Sequence, residues 1–426
     1  MTDAGIGPTS ARDRIEEMDV LRGVALYGVF LANMVGFSTF DVVATGPQLL
    51  SLPTAALDFT LLQFVLVLVN DKANTLFAFL FGLGFYLQMQ RAQARGADFE
   101  RIYLRRLTVL LCIGLAHILL LWNWDILHLY AIAGFALFAL RRVSTRTLLT
   151  AGLVCTLFSY DLPGQLVDAL GVSERFDLEA TYSAEAVLAR QDLAHSGDYP
   201  GLVVAFGDFL LRDYVLSGLL VGWVVYALGR FMLGAWVGRK GWVQNAPQYL
   251  SGFRRLMRVA LPLGLILEGI GRLAFYYSGT ARLPDWDHWS LVGATLHQVA
   301  VPILAAGYLC AIVLGLHHPR MRPFLAPFGH VGRMALSNYV AQSFVIAFVL
   351  FGVGPGLALA GRIGVSWHIV IVTAAFAVQV IVSRWWLARF RFGPLEWAWR
   401  GLTYGAWPAF RRGKERGSGT ASDPAT

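Results

Sequence analysis

Residues 105–135 read RRLTVLLCIGLAHILLLWNWDILHLYAIAGF, two apolar runs joined by the short polar sequence WNWD. A helix needs about 20 apolar residues to cross the hydrocarbon core of a bilayer. The first run has this length, and Asp125 begins a second run that returns in the opposite direction. The stretch therefore predicts two antiparallel transmembrane helices.

The composition of the whole chain agrees with this prediction. Of its 426 residues 56% are hydrophobic and only 15% are charged, which does not fit a water-soluble surface. The apolar runs predict ten spans, near 21–42, 73–90, 104–122, 126–140, 146–162, 214–238, 257–278, 290–316, 333–352 and 365–385. An eleventh run, 56–69, is too short to cross and predicts an interfacial or re-entrant helix.

These patterns predict an all-α, polytopic membrane protein with about ten transmembrane helices and one short interfacial or re-entrant helix. We expect a tail over 1–18, a single membrane domain over 19–410 with an outer loop over 163–213, and a disordered tail over 411–426. Within the outer loop, the sequence AEAVLARQDLAH is compatible with a short surface helix.

The charge distribution predicts the orientation of the chain. The 35 Lys and Arg exceed the 27 Asp and Glu, and the net charge is +8. Most of the basic residues lie in loops that fall on one side of the predicted bundle, whereas the outer loop 163–213 is rich in acidic residues. Because basic loops stay in the cytoplasm, both termini are predicted to be cytoplasmic. The charge excess thus reports topology and requires no nucleic acid.

Cysteine chemistry and a cleaved leader are both disfavoured. Cys112, Cys155 and Cys310 each lie inside an apolar run, so neither a disulfide framework nor a cysteine metal site is expected, and no metal is predicted. The N-terminal sequence mixes acidic residues with its arginines and lacks a small-residue cleavage site, which disfavours a cleaved signal peptide.

Polar residues within the first span form the clearest candidate site. In RIEEMDVLRGVALYGVFLAN, residues 14–33, Arg22 and Asn33 are eleven residues apart and so share one helix face, with Asn33 about 16 Å deeper. Asp19 precedes Arg22 by three residues and can pair with it. The alternative is a topological arginine with an asparagine that packs against another helix.

His117 and Asp125 are the candidate proton-transfer pair. His117 lies near the outer end of its predicted helix, and Asp125 begins the returning helix just beyond it. A neutral imidazole can exchange a proton near pH 7, and a nearby carboxylate orients the ring and supports the imidazolium. The alternative is an interfacial histidine bonded to a backbone carbonyl, with Asp125 capping the following helix.

Four further polar residues are candidates for substrate binding. Lys72 is predicted at the outer end of a span, where it either holds a substrate anion or extends to the lipid headgroups. His297 lies within an apolar run, and Asn338 and Gln342 share one helix face. The last two residues either line a cavity or form interhelical hydrogen bonds.

Signatures of soluble enzymes are absent from the sequence, which contains no P-loop, no GxSxG and no HExxH. Instead, five stretches together resemble the DUF418 (YeiB-like) family of bacterial multispanning proteins. They are RIEEMDVLRGVALYGVFLANM, NTLFAFLFGLGF, RRLTVLLCIGLAHILLLWNWDIL, GRMALSNYVAQS and FGPLEWAWRGLTYG. The resemblance covers nearly the whole chain apart from the outer loop and both tails, and it implies the bacterial cytoplasmic membrane.

DUF418 proteins are in turn distantly similar to the transmembrane acyltransferases, which include the acyltransferase-3 O-acetylases and the heparan glucosaminide N-acetyltransferase. These share a ten-helix core and an opening R-x-x-x-D-x-x-R-G-like element. Here Arg14, Asp19, Arg22 and Gly23 match it, with one extra residue after Arg14. The resemblance implies an acyl-CoA donor, with Arg22 and Arg14 at the CoA phosphates and the pantetheine arm directed toward Asn33.

The sequence departs from these relatives at the catalytic base. Acyltransferase-3 proteins have a histidine where this chain has Asn33, and the heparan acetyltransferase has its catalytic histidine where this chain has Ala44. His117 is therefore the predicted replacement base, with Asp125 orienting it. Asn33 is predicted to donate a hydrogen bond to the thioester oxyanion.

The predicted function is a membrane acyltransferase that moves an acyl group, here acetyl, from cytoplasmic acyl-CoA to an extracytoplasmic acceptor. The acceptor class is a hydroxyl or amine of a glycan, lipid or metabolite, and a homo-oligomer is left open. One alternative is a transporter whose pathway is lined by Glu268, Arg272, His297 and Asn338. Another is a membrane assembly protein that catalyses no reaction.

Overall fold

The computed structural model describes residues 14–39, 42–96, 98–159, 183–278 and 288–412. Within these ranges the chain is helical, and its one extended pairing is an isolated antiparallel bridge between Phe390 and Arg411. The all-α prediction is therefore confirmed.

The described ranges contain the following helices in chain order. They are α1 (Glu16–Thr39), α2 (Gly46–Leu50), α3 (Ala55–Leu68), α4 (Lys72–Ala94), α5 (Phe99–Leu120), α6 (Leu127–Ala139), α7 (Thr145–Leu157), α8 (Ala184–His195), α9 (Tyr199–Asp208), α10 (Leu219–Lys240), α11 (Ala246–Ser278), α12 (His288–Leu316), α13 (Arg322–Leu325), α14 (Phe328–Arg333), α15 (Ala335–Leu350), α16 (Val365–Arg389) and α17 (Pro394–Tyr404). A π-helix, Phe209–Leu216, joins α9 to α10.

Seven helical segments of the described chain are long and apolar enough to cross a bilayer, or eight if the pair 322–333 and 335–350, bent by 89°, is one span. The protein is therefore a multi-pass membrane protein, as predicted. Each of the ten predicted runs coincides with a helix, but α6 and α7 have only 13 residues each and fall short of a full crossing. The predicted number of ten crossings is thus larger than the number that helix length supports.

The run 56–69 was predicted to be a separate interfacial or re-entrant helix, and the structure instead joins it to the next helix. It forms α3, which continues into α4 as one broken apolar segment, Ala55–Ala94. Asp71 absorbs the break with a left-handed backbone, φ 60°. Gly28, near the middle of α1, faces Ala73, since a Cβ atom at Gly28 would lie 2.6 Å from that of Ala73. The break therefore lies near the mid-depth of the bundle and adds no further crossing.

Helix α1 is the central helix and α11 is peripheral. In the apolar stretch of α1 83% of the residues are buried inside the protein, whereas in that of α11 only 28% are buried. The outward positions of α11 are large apolar side chains three or four residues apart, which form one continuous face. They are Leu256, Val259, Leu263, Ile266, Ile270 and Leu273. Such a face is stable in contact with lipid and not with water.

The outer loop is partly described. The helix predicted from AEAVLARQDLAH is confirmed as α8. Gln191 on α8 donates to the carbonyl of Val43 at 2.8 Å and so ties the loop to the chain after α1. Of the predicted disordered tail, residues 413–426 lie outside the described residues. Arg412 donates from its backbone to Arg389 at 3.0 Å.

Close helix packing at glycine predicts a selective loss of stability. A Cβ atom at Gly82 on α4 would overlap the carbonyl of Phe231 on α10, whereas nothing lies within 4 Å of one at Gly269 on α11. We expect Gly82→Ala to destabilise the protein by about 1–3 kcal/mol and to lower its melting temperature in detergent by about 5 °C. Gly269→Ala is the matched control and should not lower it, because alanine favours a helix. Equal melting temperatures for both variants would contradict this packing.

Candidate functional site

A cavity of about 280 Å³ opens at the end of the bundle where α1 and α5 begin. Seven arginines contributed by five segments of the chain line it, and we call it the arginine cavity. They are Arg14, Arg22, Arg91, Arg106, Arg333, Arg391 and Arg400. Basic residues that only set the orientation of a membrane protein are spread over its loops, whereas these seven guanidinium groups converge on one cavity.

Two carboxylates of the described chain share this cavity, Asp19 and Glu396. Asp19 lies 3.4 Å from Arg22. Glu396 instead accepts hydrogen bonds from the backbone of Leu336 at 2.7 Å and of Ser337 at 3.0 Å, and from the Ser337 hydroxyl, so it caps the start of α15. The described lining therefore has an excess of five positive charges.

The start of α1 reaches the cavity through close contacts with α14. Cβ atoms at Gly23 and Gly332 would overlap the carbonyls of Phe328 and Asp19, respectively. Only glycine allows two helices to approach so closely at these points. The stretch from Arg14 to Gly23, which carries the resemblance to the transmembrane acyltransferases, thus packs against α14, the helix that precedes α15.

Aromatic side chains on and just before the C-terminal helix α17 contact two of the cavity's arginines. The guanidinium of Arg106 lies 3.8 Å from the ring centre of Trp399, whose indole N–H donates to the Arg106 carbonyl at 3.0 Å. Arg400 lies 4.7 Å above the ring of Phe392. Burial lowers the pKa of Arg400, the neighbouring Tyr404 opposes this shift, and Arg14 adds to it.

The other end of the arginine cavity is apolar. Its lining there includes Phe77, Phe81, Leu110, Leu127, Tyr130 and Tyr339. Helix direction sets this order, because α1, α5 and α15 begin at the arginine end, whereas α6 begins deeper in the bundle. A ligand that fills the cavity must therefore have an anionic end and an extended, less polar end.

The predicted pair His117 and Asp125 lies beside the apolar end. His117 Nδ1 is 2.8 Å from Asp125 Oδ1, and both residues are at most 5% exposed. Asp125 Oδ2 accepts from the ring of His128 at 2.7 Å and from its backbone N–H at 2.9 Å. One carboxylate thus contacts two imidazole rings. Of the two arrangements that the sequence left open, both are present, because Asp125 caps the start of α6 and also contacts His117.

A glycine on α5 allows this arrangement. A Cβ atom at Gly114, one turn before His117, would overlap the backbone N–H of His128. The start of α6 therefore lies directly against α5, and Asp125 reaches the His117 ring. A larger residue at position 114 would separate the two helices and with them the carboxylate and the imidazole.

Helix α15 completes the surroundings of His117. The Nε2 atom of His117 lies 3.0 Å from the hydroxyl oxygen of Ser343. The ring of Tyr339, one turn earlier, lines the arginine cavity and packs against the His117 ring with centres 5.4 Å apart. Its hydroxyl accepts from the backbone of Ile126 at 3.1 Å. Tyr339 thus separates His117 and Ser343 from the cavity.

The residues predicted from the first span are only partly brought together. Arg14, Asp19 and Arg22 all line the arginine cavity. Asn33 does not, and its half-buried side chain makes no hydrogen bond within the described chain. The cavity leaves the α1 face above Arg22 and continues toward α4, α6 and α15, not along α1 to Asn33.

Lys72 and His297 belong to a second buried cluster. Lys72 is fully buried at the break between α3 and α4, not at the lipid headgroups, and its ammonium lies 3.0 Å from Glu268 and donates to the Leu66 carbonyl at 2.9 Å. His297 lies between two carboxylates, 2.9 Å from Glu268 and 3.2 Å from Asp71.

The cluster is extended by two further arginines. Arg272 lies 3.5 Å from Glu268, and Arg230 donates to the Thr75 hydroxyl at 2.9 Å while its guanidinium lies 3.3 Å from the ring centre of Tyr226. Because its charges face one another at short distances, the cluster offsets much of the cost of burying them.

Asn338 and Gln342 join α15 to α16. Asn338 donates to the Ser383 hydroxyl at 3.0 Å and to the Val331 carbonyl at 3.2 Å, and Gln342 donates to Gln379 at 3.1 Å. Neither lines the arginine cavity. Of the two arrangements that the sequence left open, the structure has the interhelical hydrogen bonds.

Several members of the site were not predicted as such, among them five of the seven cavity arginines, His128, Ser343 and Glu396. His128 follows Asp125 by three residues, a spacing that could have signalled a shared contact. Ser343 contacts His117, and Glu396 contacts Leu336, in each case across more than fifty residues of sequence. Local residue spacing cannot predict such contacts. Within the described chain no group of three metal-ligating side chains is placed to hold an ion.

The fold and the cavity define a multi-pass, all-helical membrane protein with a cationic internal site, and comparison with known sequences gives its family. A sequence model described as "Protein of unknown function (DUF418)" matches residues 237–406. The chain is 30% identical over 413 residues to the uncharacterized protein YxaH of Bacillus subtilis (strain 168), covering 95% of this chain and 98% of that one. It therefore belongs to the DUF418 family.

Two other relatives also match over nearly their whole length. The uncharacterized 39.9 kDa protein in the amylase 3′ region of Bacillus acidopullulyticus is 27% identical over 407 residues, covering 93% of this chain and 96% of that protein. The uncharacterized protein YeiB of Escherichia coli (strain K12) is 26% identical over 397 residues, covering 92% and 96%. The relatives thus share the whole membrane domain with this chain.

The buried carboxyl of Glu396 predicts a pH dependence of stability. Burial raises the pKa of Glu396, and its hydrogen bonds to Ser337 and Leu336 oppose this shift. A raised carboxyl pKa contributes stability below the unfolded value of about 4.3, and that contribution is lost as pH rises through the folded value. Since glutamine does not titrate, the melting temperature of Glu396→Gln should rise relative to wild type between about pH 4 and about pH 7.

The exposed residue Glu185 provides the control for this measurement. Glu185→Gln should follow the wild-type melting curve at every pH. A constant difference between Glu396→Gln and wild type, or one that changes in the opposite direction, would show that Glu396 does not titrate as described.

Proposed function

We propose that the protein is an acyltransferase that uses acyl-CoA, with the acyl donor bound in the arginine cavity. The observation that carries this proposal is the excess of five positive charges in a cavity with an apolar inner end. An excess of positive charge inside a bundle is costly unless a ligand supplies the opposite charge. A polyanion with an extended uncharged arm has the complementary chemistry.

Coenzyme A has this chemistry. Its pyrophosphate and its third phosphate suit guanidinium groups, which bind phosphate through paired hydrogen bonds. Trp399 and Tyr404 line the same end and offer flat surfaces to an adenine ring. The pantetheine arm extends past Phe77 and Phe81 and directs the thioester toward Tyr339, behind which His117 lies.

His117 is the proposed base and Asp125 its orienting group. Asp125 lies 2.8 Å from Nδ1, and in the proposed tautomer Nδ1 carries the proton, which leaves Nε2 able to accept one. Removal of water from this region strengthens each electrostatic interaction in it. The arrangement is suited to deprotonating a hydroxyl or amine for attack on a thioester.

The orientation follows from the charges. We place the arginine end and both termini in the cytoplasm of a bacterial cell, with the protein in the cytoplasmic membrane, because basic segments stay on that side. Acyl-CoA is a cytoplasmic metabolite and enters from there. The acceptor is then a hydroxyl or amine of an extracytoplasmic glycan, lipid or small metabolite, which approaches from the opposite end of the bundle.

Binding of CoA is the first test of this proposal. The purified protein should be stabilised thermally by CoA, since a ligand of the folded state raises stability. Arg22→Gln and Arg400→Gln should each weaken CoA binding about tenfold or more, because each removes a charged contact with phosphate. Arg142→Gln is the matched control: this side chain is 82% exposed and lies outside the cavity, so its loss should leave binding unchanged.

Turnover is the second test. Thiol release from acetyl-CoA should fall by about 10²–10⁴-fold in His117→Ala, as expected for loss of a general base, while CoA binding is retained. No thermal shift with CoA, or equal binding by the Arg22, Arg400 and Arg142 variants, would refute the donor site. Unchanged turnover in His117→Ala would refute only the proposed base.

A second candidate function is ion-coupled transport, which the buried cluster around Glu268 favours. The segment containing α3 and α4 breaks at mid-depth next to Asp71 and Lys72, and broken helices with charged residues at the break are typical of transporter binding sites. If this function holds, vesicles that contain the protein should acquire a substrate or proton flux that Glu268→Gln abolishes. Glu100→Gln, at a half-exposed ion pair, is the control.

A further inference from the structure

The side chains of Ser343, His117 and Asp125 form a continuous chain of short contacts. The Ser343 hydroxyl oxygen lies 3.0 Å from His117 Nε2, and His117 Nδ1 lies 2.8 Å from Asp125 Oδ1. A hydroxyl next to an imidazole that is oriented by a carboxylate is the arrangement that activates a serine as a nucleophile. The three residues come from three separate helical regions, so no local sequence motif announces them.

Ser343 also differs from an ordinary helical serine. Such a hydroxyl normally donates to the carbonyl four residues earlier. Here that acceptor, the carbonyl of Tyr339, is 3.4 Å away, whereas the imidazole of His117 is 3.0 Å away. Ser343 is 1% exposed, so it is removed from bulk water. Its hydroxyl oxygen is thus within hydrogen-bond distance of both groups, and the shorter contact is with the imidazole, in a dry environment.

From this geometry we infer that Ser343 is the nucleophile of the protein and that the acyl group passes through an ester on its side chain. The inference rests on the proposed acyl-CoA donor. In the first step the Ser343 oxygen attacks the thioester carbonyl and the carbon–sulfur bond breaks. The Ser343 proton moves to His117 Nε2 and then to the departing sulfur, which leaves as CoA thiol.

The second step regenerates the serine. The hydroxyl or amine of the acceptor attacks the carbonyl of the Ser343 ester, its proton moves to His117 Nε2, and that proton then passes to the Ser343 oxygen as the ester bond breaks. No oxidant, reductant or metal is needed. The products are the acylated acceptor and free Ser343.

Access to Ser343 depends on Tyr339. Ser343 is one helical turn beyond Tyr339 on the same face of α15, and the Tyr339 ring lines the apolar end of the arginine cavity. A hydrogen bond of 3.1 Å from the Ile126 backbone holds its hydroxyl. Movement of this one side chain opens a direct path from the bound thioester to the nucleophile.

An exchange reaction tests the inference without a known acceptor. An enzyme that forms an acyl-serine exchanges isotopically labelled CoA with acetyl-CoA in the absence of acceptor, whereas direct transfer does not. We expect exchange in the wild-type protein, with acetyl on the Ser343 peptide by mass spectrometry. Ser343→Ala should abolish the acetylated peptide and reduce exchange by about 10³-fold or more. Ser159→Ala, a buried serine that contacts Gln298, should behave as wild type.

The outcomes separate this inference from the proposed function. CoA binding with thiol release that proceeds at the wild-type rate in Ser343→Ala, without exchange, overturns the nucleophile and leaves the acyltransferase. Failure of wild type to bind CoA overturns the proposed donor. In that case a fluorophosphonate probe still reports on the serine: labelling at Ser343 that Asp125→Asn abolishes supports an activated nucleophile, and absence of labelling overturns it.

Discussion

The cost of burying charge away from water is the constraint on which the structure depends. The two clusters of the bundle meet it in different ways. Around Glu268 opposite charges are in direct contact, since Lys72, His297 and Arg272 all lie within 3.5 Å of that carboxylate. In the arginine cavity seven guanidiniums face two carboxylates of the described chain, and one of these, Glu396, accepts hydrogen bonds from backbone N–H groups. The described lining of the cavity therefore keeps an excess of five positive charges.

The same constraint relates the cavity to the histidines. Tyr339 lines the apolar end of the cavity, and behind it the carboxylate of Asp125 contacts the rings of both His117 and His128. The excess of positive charge therefore lies at one end of the path and the two histidines at the other. Glycine at positions 23, 114 and 332 makes this possible, because the helices that contribute the two ends approach to backbone contact there.

Much of this arrangement follows from the sequence. Apolar runs located the helices, and the resemblance to the transmembrane acyltransferases placed Arg14, Asp19 and Arg22 in one site, where the structure also has them. The proximity of His117 and Asp125 was predicted because a short turn joins their helices. Contacts between distant segments were not accessible: the approach of Ser343 to His117 and the capping by Glu396 arise from packing alone.

Two predictions were wrong because they depend on how helices pack, which the periodicity of apolar residues in the sequence does not report. Arg22 and Asn33 share one helix face, and a site was therefore predicted to extend from one to the other. The position of a cavity depends on how neighbouring helices pack, however, and this cavity turns away from α1 before it reaches Asn33. The run 56–69 was too short to cross by itself, but it is collinear with the next helix through a left-handed residue, and Lys72 is thereby buried at mid-depth. A hydropathy pattern gives the length of an apolar segment but not the angle between two helices that meet at a break in it.

Binding of the phosphates of coenzyme A by the arginine cavity is tested by the affinity of the purified protein for CoA, for the analogue that lacks the 3′-phosphate, and for pantetheine, measured by calorimetry in one buffer. If the arginines hold the phosphates, affinity falls with each loss of phosphate and CoA binding weakens as salt is raised. Equal affinities for the three compounds, or no binding of CoA at low salt, would contradict it.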